Sequence, residues 1–78
     1  VKGLFAVLDS VVGAYLSVFS MANPPTASRW FLAMCKDPDC PWSKSPEDFS
    51  LYQLGTYDEV SGEIQAEKPK LVMRGQVL

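Results

Sequence analysis

Two cysteines, Cys35 and Cys40, are the first residues of this 78-residue chain that could do chemistry. A thioredoxin-like pair needs two intervening residues, and this pair has four. A zinc site needs about four nitrogen or sulfur ligands, and there is neither a second cysteine pair nor any histidine. The expectation is two reduced thiols, one buried on a helix and one in a loop, with no metal and no cofactor. The acids Asp37, Asp39, Glu47, Asp48, Asp58, Glu59 and Glu63 could form a cation or hydrolase cluster. Asp37, Asp39 and Glu47 lack calcium-loop spacing, and Pro38 disfavours that loop. A general acid needs burial or a close like charge to tune its pKa. Solvated turn residues are the better reading, with Glu47 and Asp48 capping backbone N–H groups ahead of a strand. Ser45 and Ser61 have no histidine to activate them, and the five scattered glycines form no phosphate-binding loop. An enzyme is not expected.

Aromatic and basic side chains remain. Phe5, Phe19, Trp30, Phe31 and Phe49 read as core. Tyr15, Tyr52, Tyr57 and Trp42 fall on strands or in a proline-rich loop. On an exposed sheet face such rings can stack single-stranded bases, at ~1–3 kcal/mol each. Lys68, Lys70 and Arg74 form a C-terminal basic cluster; Arg29, Lys36 and Lys44 lie on a helix and the loop after it. The candidate nucleic-acid set is therefore Arg29, Trp42, Lys44, Tyr52, Tyr57, Lys70 and Arg74. The competing reading is amphipathic rings at the core edge and ordinary solvated charges. With Lys+Arg 7 against Asp+Glu 9, a net charge of −2 gives no overall field for a polyanion. Any nucleic-acid role then rests on a local patch.

These residues need a scaffold. Apolar residues are 47% and aromatics 12% of the chain, which excludes a disordered chain. A domain this short buries only about 60% of its unfolded surface, so oligomerisation is a natural source of extra stability. The run Leu4-Phe5-Ala6-Val7-Leu8, bounded by Asp9-Ser10, reads as a buried strand. It is too short for a signal sequence or a membrane span. A reducing cytoplasm is expected. Gly13 marks a turn, and Tyr15 to Ser20 is a second strand-like run. An uninterrupted helix from Leu4 to Met21 is the alternative, opposed by four valines, three serines and a central glycine.

Asn23-Pro24 changes the period, with Asn23 as N-cap and Pro24 as first helical residue. Ala27, Phe31, Met34 and Cys35 then share one face of a helix ending near Lys36, flanked by Trp30. Three prolines, Pro38, Pro41 and Pro46, keep the next stretch a loop. Phe49 to Tyr57 alternates as a third strand, with Gly55 marking a bulge or a close backbone approach. A turn at Asp58 to Gly62 leads to a short edge strand, Glu63 to Ala66, broken by Lys68-Pro69-Lys70. The tail could add a strand or a helical turn. The expected layout is residues 1–22 as a strand hairpin, 23–36 a helix, 37–48 a loop, 49–67 a second hairpin and 68–78 a tail. This is one α+β domain of order ββαββ, an antiparallel sheet covered by one helix.

The motif order resembles that of a known family. Pro46-Glu47-Asp48-Phe49, Leu51-Tyr52, Leu54-Gly55, Tyr57-Asp58 and Ser61-Gly62, preceded by Asp37-Pro38 and a helix carrying Ala27, Arg29 and Phe31, look like the small nonstructural protein of gokushoviruses. These are tailless single-stranded DNA bacteriophages of the microvirus group. The resemblance covers nearly the whole chain. It departs at Val18-Phe19, where the family has a Pro-aromatic pair, and at the two prolines of the helix start. It implies a non-capsid protein made in the host bacterial cytoplasm, acting in replication or packaging of viral DNA, often by binding single strands. The expected partners are single-stranded DNA and a second copy of the chain, with no membrane association. A different class is a protein-interaction factor without nucleic-acid affinity, acting on a viral replication or capsid protein.

Overall fold

The computed structural model describes residues 1–75. Its elements are β1 (Lys2–Asp9), β2 (Ala14–Tyr15), β3 (Phe19–Met21), α1 (Pro24–Lys36), a short 3-10 turn at Pro46–Asp48, β4 (Phe49–Tyr57) and β5 (Ile64–Arg74). All strand pairings are antiparallel. The long strands run in the order β1-β4-β5, and β2 and β3 share the outer edge of β1. The α+β class expected from the pattern is the class observed: one open antiparallel sheet and one helix.

The helix starts where its cap chemistry puts it. Asn23 Oδ1 accepts a hydrogen bond from the Thr26 N–H at 2.9 Å, and the prolines occupy the first turn. Lys36 lies in the last turn. Ala27, Phe31 and Cys35 are buried, with Met34 and Trp30 packed at the margin. They meet Phe5 and Val7 of β1 and Leu51 of β4, and Phe5, Phe31 and Leu51 are fully buried. Rings form a continuous seam along this layer. Phe19 lies 4.7 Å from Trp30, Trp30 lies 6.2 Å from Trp42, and Trp42 packs on Phe31 at 6.2 Å and Phe49 at 5.8 Å.

Two hairpin turns share one device. Asp9 Oδ1 accepts from the Val11 and Val12 N–H groups, and the Gly13 N–H donates to the Asp9 carbonyl. Asp58 Oδ1 accepts from Val60 and Ser61 in the same way, and the Gly62 N–H donates to the Asp58 carbonyl. Gly13 and Gly62 close these turns at φ of 79° and 80°, a region open to glycine at no steric cost.

Two strand expectations need correction. The run from Tyr15 to Ser20 is not one strand. Leu8 pairs with Tyr15 and Phe5 with Phe19, so three steps on β1 face four on the edge. That extra residue breaks the edge over residues 16–18, as an edge bulge does. The return strand also does not stop at Ala66; β5 continues to Arg74. Ala66 pairs with Gly55 and Lys70 with Gln53, which leaves residues 67–69 opposite Leu54 alone. Pro69 therefore sits in a bulge on an edge strand, where its missing N–H breaks no ladder. The tail from 68 to 74 extends this strand, and residues 76–78 lie outside the described residues.

Replacing Phe31 with Ala should cost ~3–5 kcal/mol in denaturant unfolding, because the ring is the fully buried centre of the helix–sheet contact. A near-neutral result would contradict that packing. Asp58 supplies a second check. Hydrogen bonds from the Val60 and then the Ser61 N–H hold its carboxyl below its ordinary value of 3.8. A depressed folded pKa gives the turn stability that is full above the unfolded value and is lost as pH falls through the folded one. An NMR titration of Asp58 should therefore place its midpoint below 3.8.

Candidate nucleic-acid interface

Cross-strand register decides which side chains share a face, because directly paired residues point the same way. Phe5, Val7, Leu51, Phe49 and Met73 belong to the helix-covered face. The opposite set consists of Lys2-Tyr57-Ile64, Leu4-Gly55-Ala66, Ala6-Tyr52-Leu71 and Leu8-Ser50-Arg74, with Tyr15 beside Leu8 and Ser20 beside Leu4. No helix covers these residues among those described.

Tyr57 reaches this face because of a bulge. Leu4 pairs with Gly55 and Phe5 with Gln53, which leaves Leu54 as an extra residue on β4. One extra residue reverses the alternation beyond it. Tyr57 would otherwise share a face with Phe49 and Leu51; it shares one with Tyr52 instead. Gly55 allows the irregularity, since a Cβ there would collide with the Gln65 carbonyl oxygen. The expectation of a bulge or close approach at Gly55 describes both halves of this arrangement.

Tyr15 joins the same surface. Its ring stands edge-on to Tyr52, with centroids 5.7 Å apart at 89°. Three tyrosines therefore lie on one uncovered face. The charged residues among its register-paired positions are Lys2 and Arg74, and none is acidic. Tyr15 and Lys2 were absent from the candidate set. Pairing across β1 brings them in: the hairpin carrying Tyr15 is expected from the sequence, but its register and the pairing of Lys2 with Tyr57 are not.

The candidate set is only partly brought together. Tyr52, Tyr57 and Arg74 share the open face. Lys70 is exposed opposite Gln53, on the other side of the sheet. Arg29 is exposed on α1 and Lys44 in the loop after it, both in the layer that covers the far face. Trp42 requires correction. It was expected as an accessible ring in the loop, yet it is 8% exposed and packed among Trp30, Phe31 and Phe49. The turns at Asp37–Cys40 and Cys40–Ser43 fold the loop back, so this indole closes the end of the core. Both cysteines are free thiols buried in that core. Among the described residues no three potential metal ligands cluster, and no helix is long and apolar enough to cross a membrane.

The architecture is thus a small sheet domain with one helix-covered face and one open, tyrosine-bearing face. The family described as Phage ORF5 protein matches residues 2–78, and the chain belongs to that family. It is a phage protein. No curated protein and no solved structure matches it.

The two aromatic environments separate in a stability measurement. Trp42→Ala should cost ~3–5 kcal/mol in urea unfolding, as for a buried aromatic ring. Tyr52→Ala, on the uncovered face, should cost clearly less. Equal losses would contradict the assignment of the faces.

Proposed function

We propose that this protein is a non-capsid phage protein of the gokushovirus type that holds single-stranded DNA on its open sheet face. In this reading it works inside the infected bacterium, in replication or packaging of the viral genome. One observation carries the proposal: Tyr15, Tyr52 and Tyr57 share an uncovered face whose register-paired charges are both basic. Aromatic rings on a sheet accept bases of any sequence, because every base has a π-face. Lys2 pairs with Tyr57 at one end of β4 and Arg74 with Ser50 near the other, so the two are placed to meet phosphates along a strand crossing the tyrosines. An acidic chain can bind a polyanion this way because no carboxylate occupies a register-paired position of the open face. Asp58, Glu59 and Glu63 lie in the turn that follows Tyr57, where Glu59 pairs with the N-terminal amine, and Asp9 belongs to the other face. The resemblance to gokushovirus nonstructural proteins favours single-stranded DNA over other polyanions.

Fluorescence anisotropy with a labelled oligonucleotide at low salt tests this reading. Affinity should fall with salt at roughly −0.7 in log–log slope per neutralised phosphate. Tyr52→Ala should weaken binding by ~1–3 kcal/mol. Arg74→Ala should weaken it and reduce the slope by about 0.7. Arg29→Ala, in the helix layer, should leave binding unchanged. Absence of binding at high micromolar protein overturns the proposal. A partner from infected cells that survives nuclease would then favour a protein-interaction role.

A further inference from the structure

The outer edge of the sheet has a different character from the face. No charged residue occurs between Asp9 and Arg29. The first part of this stretch builds the β1–β2 turn, β2 and the break before β3. Of the nine large hydrophobic side chains exposed among the described residues, five fall here: Val11, Val12, Tyr15, Leu16 and Val18. Such a concentration marks an interaction surface, whereas scattered exposed apolar residues are ordinary.

The backbone agrees. Residues 16–18 belong to no strand; the Leu16 N–H still donates to the Val7 carbonyl, but the Ser17 and Val18 N–H groups find no protein acceptor among the described residues. Open edges are usually blunted by charge or proline. The opposite edge, β5, is blunted in this way: it carries Glu67, Lys68, Pro69, Lys70 and Arg74. The β2–β3 edge has none of these protections.

Beside the break lies a cleft of about 310 Å³, lined by Val7, Leu16, Ser17, Phe19, Trp30 and Trp42. Val18 projects next to it and is 57% exposed. One edge therefore offers both projecting valines and an apolar recess.

We infer that this edge is the contact between two copies of the chain, packed about a twofold axis, with valines of each seated in the cleft of the other. A twofold contact must complement itself, because the same patch appears on both sides. Any charge near the axis would face its own copy. An uncharged patch meets that condition, and one with both knobs and a recess meets it in shape as well. A charged partner would find no counter-charge here. Small domains gain most from such a contact, since their own cores bury the least surface.

Light scattering and sedimentation equilibrium on the full chain test the inference. The unmodified protein should dimerise at micromolar concentrations. Val12→Glu and Val18→Glu each set like charges across the axis and should raise the dimer dissociation constant about tenfold or more. Both positions are exposed, so circular dichroism should show an unchanged fold. Val60→Glu, at the tip of the β4–β5 hairpin, should leave the dimer intact. A monomer up to about 10⁻⁴ M overturns the inference and leaves the edge to a different partner. A dimer that both edge variants leave intact also overturns it, by placing the contact elsewhere. Oligonucleotide binding that fails while the dimer persists would count against the open-face reading alone.

Discussion

The structure depends on the seating of α1 against the centre of the sheet, where Phe31 meets Phe5, Val7 and Leu51. The helix has thirteen residues and the sheet five strands. A single helix about 20 Å long covers one face of such a sheet and leaves the other bare. The proline-rich loop extends the cover by placing Trp42 beside Phe31 and Phe49. Everything else follows from this one-sided cover. Under the helix the covered face is a core, so its buried centre is large and apolar. The bare face faces solvent, yet it retains Leu4, Leu8, Leu71 and three tyrosines, more apolar area than solubility alone requires.

Bulges decide how that bare face is populated. With strict alternation, Tyr52 and Tyr57 would lie on opposite sides of β4, since five positions separate them. The extra residue at Leu54 brings them together. On β5, residues 67–69 loop past the same point, and this lets an eleven-residue strand continue through a proline. The two irregularities lie side by side across the β4–β5 pair, with Gly55 between them. Glycine is needed there because the Gln65 carbonyl occupies the place of a side chain. One local departure from regular pairing therefore serves packing and surface layout together.

These relations explain which features were legible in the sequence. The helix was readable because its signals are local: Asn23 caps, Pro24 opens, and Ala27, Phe31 and Cys35 repeat at helical spacing. The buried strand β1 and the interruption at Gly55 were readable for the same reason. Pro69 misled because a proline argues against a strand only where its N–H is needed, and that depends on the neighbouring strand. Trp42 misled because a loop is exposed only if it does not fold back; the Asp37 and Ser43 side chains help close its turns, but turn chemistry alone does not say that the loop packs its indole onto the core. Tyr15 joined the tyrosine face through the register of the expected hairpin, which sets it opposite Leu8 and which sequence spacing does not fix. Features fixed within a turn or two could be read; features fixed by partners in another strand could not.

The distribution of charge links the two proposed surfaces. Sixteen charged residues are spread over a small surface, yet none falls in the stretch from Ser10 to Ser28. On β5 the charges and Pro69 guard an edge that would otherwise recruit strands indiscriminately. On the open face they reduce to Lys2 and Arg74 at the paired positions. Solvation alone would spread charge evenly, because every exposed segment gains from it. The uneven pattern gives the molecule one guarded edge, one neutral edge and one weakly basic aromatic face. If two copies met at the neutral edge about an axis normal to the sheet, their aromatic faces would lie side by side. The strand of DNA each face is proposed to hold could then continue from one copy to the next, and two weak patches would act as one longer surface with a higher effective concentration of sites.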